Sequence, residues 1–165
     1  MEAYAASYAE LDRWIPWVLE GSEDEAVLRE KLATYEQHFE EGGDALYAIY
    51  DLSESEILGG IGLYRRVGPG GLEVGYWIRT DHAGHGLATL ATVAVTEAAL
   101  TLPGIDRVEV HCDPENVAST AIPRKLGFRL RETRTDQIVQ QSGKRGDTMI
   151  WEITSQMVSM AYARV

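Results

Sequence analysis

Cysteine is nearly missing from this chain of 165 residues: Cys112 is its one example. A lone thiol excludes an internal disulfide and a cysteine-built metal cluster, and no metal is expected. No apolar run approaches the ~18–20 residues that a membrane-spanning helix needs, so a membrane is not an expected partner. The opening Met1-Glu2-Ala3-Tyr4 lacks the basic and apolar regions of a secretory signal, which makes a cytoplasmic location the expectation. Internal repeats and low-complexity linkers are also missing. A single domain over residues 1–165 is therefore expected.

What is present has the make-up of a soluble globular chain: 45% hydrophobic and 25% charged residues. The net charge of −11 is unevenly spread. Residues 1–60 hold 15 acidic and 3 basic side chains (−12), and residues 61–165 hold 11 and 12 (+1). Such a field disfavours nucleic acid and attracts cations. The same charges also suit a solvated acidic helix surface.

Residues 3–13 read as a short helix, broken by Trp14-Ile15-Pro16-Trp17. Ser22 with Glu25 has the spacing of a capping box. Apolar residues at helical spacing follow to Phe39, and Gly42-Gly43 ends that helix. Residues 45–52, 57–65 and 72–79 alternate like strands, with a turn at Gly68-Pro69-Gly70-Gly71. Strands joined so closely pair antiparallel. A loop over 81–86 leads into a helix from 87 to about 102, expected to be well buried because Glu97 is almost its only charge. A strand over 107–112, a helix over 116–126 and strands over 128–137 and 148–154, joined by a turn at 142–144, complete the order. This is a mixed α/β (α+β) pattern: a mostly antiparallel twisted sheet flanked by helices.

The stretch from Leu72 to Arg129 carries the chemistry. A strand runs into His82-Ala83-Gly84-His85-Gly86-Leu87-Ala88, where a helix starts. Glycines at such a turn let backbone amides point outward, and the helix dipole adds positive charge. Together they make a cradle for phosphate or pyrophosphate. A tight turn with no ligand remains the alternative. The Gly-Lys-Ser/Thr ending of a P-loop is missing, and a preceding meander argues against a dinucleotide fold.

Four segments then resemble the GNAT superfamily of N-acetyltransferases, most of all its RimJ/RimL-type branch. They are Leu72-Glu73-Val74-Gly75-Tyr76-Trp77-Ile78, Ala83-Gly84-His85-Gly86-Leu87-Ala88-Thr89, Asn116-Val117-Ala118-Ser119 and Lys125-Leu126-Gly127-Phe128. The resemblance covers about residues 10–154. It implies acetyl-CoA as co-substrate, its pyrophosphate on the amides of Gly84, His85, Gly86, Leu87, Ala88 and Thr89. It implies the pantetheine arm paired like a strand with Trp77, Ile78 and Arg79. That pairing needs the strand to splay from residues 107–112, a gap the family opens with a bulge that Gly75 would permit. Two features depart from the family: Ala83 stands where Gln or Arg is usual, and the usual first strand is missing, which leaves an exposed sheet edge.

Acetyl transfer needs a neutral amine, a polarised carbonyl and a proton for the leaving sulfur. Glu73, a charge between apolar neighbours on a central strand, is the candidate base, and an ion-paired glutamate is the alternative. The family's frequent base is a carboxylate in similar context. Ser119 is the candidate donor to the sulfur, by resemblance to the branch's matching serine, with capping or packing as its alternative. Asn116 caps the helix or bonds the pantetheine amides. Pro123 removes the helical bond to the Ser119 carbonyl, freeing an acceptor.

In this fold the leading helices wall the acceptor side, here the −12 third. A cationic acceptor is expected: a protein N-terminus, a polyamine or an aminoglycoside-like antibiotic, attacking directly in a ternary complex. Trp14 and Trp17 would flank its entry, or else pack in the core. The competing function is a non-catalytic acyl-CoA-binding or regulatory module. A homodimer is expected to cover the free edge and the apolar tail 157–165.

Overall fold

The alternating runs between residues 45 and 78 fold as an antiparallel meander in a computed structural model that describes residues 1–138 and 145–157. β1 is Ala45–Tyr50, β2 Ile57–Tyr64 and β3 Gly71–Ile78. With β4 (Arg107–Cys112), β5 (Arg129–Ile138) and β6 (Arg145–Thr154) they form one six-stranded sheet in the order β1-β2-β3-β4-β6-β5. Every neighbouring pair is antiparallel except β3 and β4. That parallel pair is linked by helix α4 (Leu87–Leu100), as a crossover must be. The expected mixed sheet is thus observed, and among the described residues β1 is one of its edges. The expected turn at 142–144 lies outside the described residues.

The core lies between the sheet and α4. Val108 and Ile153 are fully buried beside Leu72, Val74 and Val110. Each such side chain contributes about 1.5–3 kcal/mol relative to exposure. α4 buries one face only, through Thr92, Thr96 and Ala99, while Leu90 on the other side is exposed. The expectation of a well-buried helix holds for that face alone, because low charge does not force burial where nothing packs.

Helices α1 (Glu2–Ala5), α2 (Tyr8–Trp14) and α3 (Glu25–Glu40) precede the sheet. The single helix expected over 3–13 is interrupted at Ser7, whose buried Oγ accepts the Thr80 N–H at 3.0 Å. A tertiary hydrogen bond wins there over helix continuity. Asp24, not Ser22, caps α3, its Oδ1 accepting from the Ala26 and Val27 amides. Gly42 takes φ 73° past the helix end, as expected of a terminating glycine. Met157, first residue of the expected dimer tail, packs against the chain's own core; residues 158–165 lie outside the described residues.

Candidate active site

β3 and β4 pair through three residues only: Gly71 with Arg107, Leu72 with Val108 and Glu73 with Glu109. Beyond Glu73 the strands part. The expected bulge at Gly75 is not what parts them, because the β2–β3 register runs unbroken through Gly62 and Gly75. Gly75 serves packing instead: a Cβ built there would come 3.1 Å from the Tyr64 ring, closer than carbon atoms sit comfortably. The Arg79 N–H is already bound to the Leu58 carbonyl, on the β2 side. Alternation along a strand therefore turns the Ile78 N–H towards the split.

α4 begins where the split opens. Gly84 and Gly86 take φ 80° and 82°, left-handed conformations that glycine adopts without steric cost. No atom lies within 4 Å of a Cβ built on either, so the turn faces open space. The first bond within the helix is Leu90 N–H to the Gly86 carbonyl at 3.0 Å, which leaves the amides of Leu87, Ala88 and Thr89 without helical partners. His85 is exposed, with Nδ1 3.2 Å from the His82 carbonyl oxygen.

Helix α5 (Val117–Lys125) lies across one face of the split. Asn116 caps it, accepting the Ser119 N–H at 3.0 Å. Pro123 has no N–H for the Ser119 carbonyl, and that carbonyl accepts the Tyr76 hydroxyl at 3.0 Å. The Ser119 hydroxyl in turn lies 3.3 Å from the Tyr76 oxygen. Burial pushes the Tyr76 phenol well up, against the opposing Ser119 hydrogen bond, so it stays protonated. Cys112 lies nearby, and burial first of all pushes its thiol up to about 11. It is a small buried residue of β4.

The opposite face carries a string of charges. Arg66 donates to both Glu73 oxygens, at 2.8 and 2.6 Å. His111 stands between two carboxylates, Nδ1 3.5 Å from Glu73 and Nε2 2.7 Å from Glu109. Arg107 and Arg131 donate to Glu109 at 2.8 and 2.9 Å. Burial alone would push the Glu109 carboxyl up, but the His111 and Arg107 bonds outweigh it and hold it below its ordinary value. Glu73 is therefore ion-paired as well as buried, and its neighbours fit both readings made of it from sequence.

One continuous cleft of about 2040 Å³ joins these parts. A drug-sized ligand fills roughly 300–1,000 Å³, so the cleft has room for two substrates together. Trp14, Trp17, Trp77, Glu73, His111, Asn116 and Ser119 all border it. Trp14 is held by its N–H to Glu10 at 3.1 Å and by Arg13 over its ring; Trp77 stacks on Tyr4 at 5.2 Å. The Arg79 side chain turns elsewhere, to Asp81 and Glu56.

The model of the acetyltransferase (GNAT) domain family matches residues 1–129. The chain belongs to the GNAT family. A probable N-acetyltransferase, YjcK of Bacillus subtilis (strain 168), is 25% identical over 103 residues, 61% of this chain and 56% of that protein's length. The chain therefore matches little more than half of that relative. A solved RimL, the ribosomal L7/L12 alpha-N-protein acetyltransferase, in complex with coenzyme A superposes with TM-score 0.77 at 20% identity, covering 93% of this chain and 85% of that one. Mycobacterium smegmatis RimJ with CoA-disulfide gives 0.72 at 20% identity, covering 84% and 66%. At such identities the likeness speaks for the fold.

GNAT enzymes transfer acetyl groups from acetyl-CoA, and this chain's turn fits such a substrate: open left-handed glycines, outward amides and a split strand pair lie in line. Sequence reading missed Tyr76, Arg66, His111 and Glu109. Tyr76 alternates onto the same face of β3 as Leu72 and Val74, which reads as core, and the orphaned Ser119 carbonyl was the one hint of a hydroxyl partner. His111 and Glu109 carry no signal until register sets β4 beside β3.

Proposed function

We propose that this chain moves an acetyl group from acetyl-CoA to a primary amine, by direct attack while both substrates share the cleft. The split between β3 and β4 at the glycine turn of α4 carries this reading, because polar groups line both of its faces. The amides of Gly84 to Thr89 hold the pyrophosphate. The free side of β3 at Ile78 pairs with the pantetheine arm, since Trp77 and Arg79 turn their backbone groups to β2, and Asn116 steadies it. The Tyr76–Ser119 pair donates a hydrogen bond to the departing sulfur. On the other face, the cluster around Glu73 takes the proton from the attacking nitrogen. Alternation explains the division: a base and a donor on opposite faces put the reacting carbon in the split itself.

The acceptor side is walled by α2, α3 and β1, with Glu10, Glu36 and Asp44 on the cleft beside Trp14 and Trp17. Those carboxylates favour a cation. A protein N-terminus is the preferred acceptor, since the RimL neighbours act on an alpha-amino group of a ribosomal protein; polyamines and aminoglycoside-like antibiotics share the chemistry.

Thiol release from acetyl-CoA, measured with a panel of peptides, polyamines and aminoglycosides, tests the reading. Release with cationic amines is expected, and Glu73→Gln should cut kcat by about 10²-fold with coenzyme A affinity nearly unchanged. Tight coenzyme A binding with no release for any amine would mark a non-catalytic binding module instead.

A further inference from the structure

Both oxygens of Glu73 are occupied by Arg66, so a proton arriving there must share a carboxylate already held by a guanidinium. His111 is differently placed. It lies two residues past the last β3–β4 pair, on the same face as Glu73, and its side chain is 21% exposed on the cleft. Its Nε2 is 2.7 Å from a Glu109 oxygen, and Glu109 is itself 3% exposed and anchored by Arg107 and Arg131. Both carboxylates can only accept, but only the 2.7 Å contact is a hydrogen bond, so the proton of the neutral ring belongs on Nε2 and Nδ1 keeps its lone pair. Nδ1 is 3.5 Å from the Glu73 carboxylate. A proton gained at Nδ1 therefore meets an acceptor, and the resulting imidazolium stands between two carboxylates.

We propose that His111 is the catalytic base of this site, taking the proton of the attacking amine on Nδ1, with Glu109 fixing its tautomer and Glu73 stabilising the imidazolium. The proposal rests on the acetyltransferase reading above and gives Glu73 and Glu109 positioning roles within it. The carbon–nitrogen bond forms and the carbon–sulfur bond breaks. One proton passes from nitrogen to His111 and on to solvent, and the thiolate, held by hydrogen bonding to the Tyr76–Ser119 pair, takes one from solvent. The charged groups around the ring are Glu73 on β3, Glu109 on β4, and behind them Arg66, Arg107 and Arg131. A short Glu–His–amine relay of this kind loses its acceptor if the ring proton is moved to Nδ1.

The first test needs no acceptor. Nitrogen-15 NMR of the histidine rings, with the four histidines told apart by loss of one signal set in His111→Gln, should show the neutral His111 ring protonated at Nε2. Protonation at Nδ1 overturns the proposal. The second test is the pH profile of kcat/KM with acetyl-CoA and the best amine of the panel. His111→Gln should lower kcat by about 10²-fold or more and abolish the acid limb, with coenzyme A affinity kept as the check on folding. Glu109→Gln, whose amide would donate to Nε2 and drive the ring proton to Nδ1, should do nearly the same while leaving KM for acetyl-CoA in place. An unchanged acid limb in His111→Gln, lost instead in Glu73→Gln, makes Glu73 the base and overturns the proposal. A wild-type chain that releases no thiol overturns the acetyltransferase reading itself, before any variant is compared.

Discussion

Tyr76 and Ser119 show how much a site depends on single atoms. The two hydroxyl oxygens lie 3.3 Å apart, and the phenol also binds the Ser119 carbonyl at 3.0 Å. Burial keeps the phenol protonated, which suits a donor to a thiolate. Either hydroxyl could face the sulfur, and the two substitutions separate them. Tyr76→Phe removes both contacts and should lower kcat by about 10²-fold with coenzyme A affinity nearly unchanged. Ser119→Ala keeps the carbonyl bond, and a milder fall is expected if Tyr76 is the terminal donor. Single-turnover kinetics of both variants make the comparison, and a deeper loss in Ser119→Ala would give the serine that place.

Among the elements, α5 owes its use to an irregularity. A proline inside a helix removes one backbone bond, ordinarily a cost of about 3 kcal/mol. Here the freed Ser119 carbonyl is satisfied by the Tyr76 hydroxyl, so the cost is offset and a side chain is tied across from β3. Pro123→Ala would give the helix its missing N–H and a competitor for that carbonyl. Thermal melting should show equal or higher stability, and turnover should fall several-fold as Tyr76 loses its anchor. Higher turnover together with higher stability would mean that the Tyr76 bond has no part in the reaction. α4 offers the complementary case, a regular helix whose value lies at its first turn, where Gly86 supplies a left-handed start and unpaired amides follow.

Across the whole molecule, a ladder of charges whose carboxylates are buried and whose arginines reach solvent runs over four strands. Arg66, Glu73, His111, Glu109, Arg131 and Glu152 link the loop after β2 to β6. Losing one member of a buried pair costs about 3–5 kcal/mol, because the other is left uncompensated. Glu109 also sets an acid limit. Its carboxyl is held below the ordinary 4.5, so its contribution is complete above that value and is lost as pH falls through the lower folded-state value. Denaturant unfolding between pH 7 and pH 3 should show stability falling most steeply below about pH 4.5. Glu109→Gln, which cannot titrate, should be less stable at pH 7 and flatter across that range.

The order of elements, the glycine turn before α4, the cap at Asn116 and the orphaned carbonyl at Ser119 are all legible in the residues alone. Each follows from local periodicity or from backbone chemistry that one residue type imposes on its neighbours. The sequence also marked Glu73 as a charge out of place among apolar residues. It misread the cap of α3, the break at Ser7 and the burial of α4, where a tertiary partner or its absence outweighs a local pattern. It takes the folded chain to part β3 from β4 after Glu73, to close Arg66 on that carboxylate and to set His111 between two buried acids. Those residues lie up to 45 positions apart, and nothing in their local spacing encodes the strand register that brings them together.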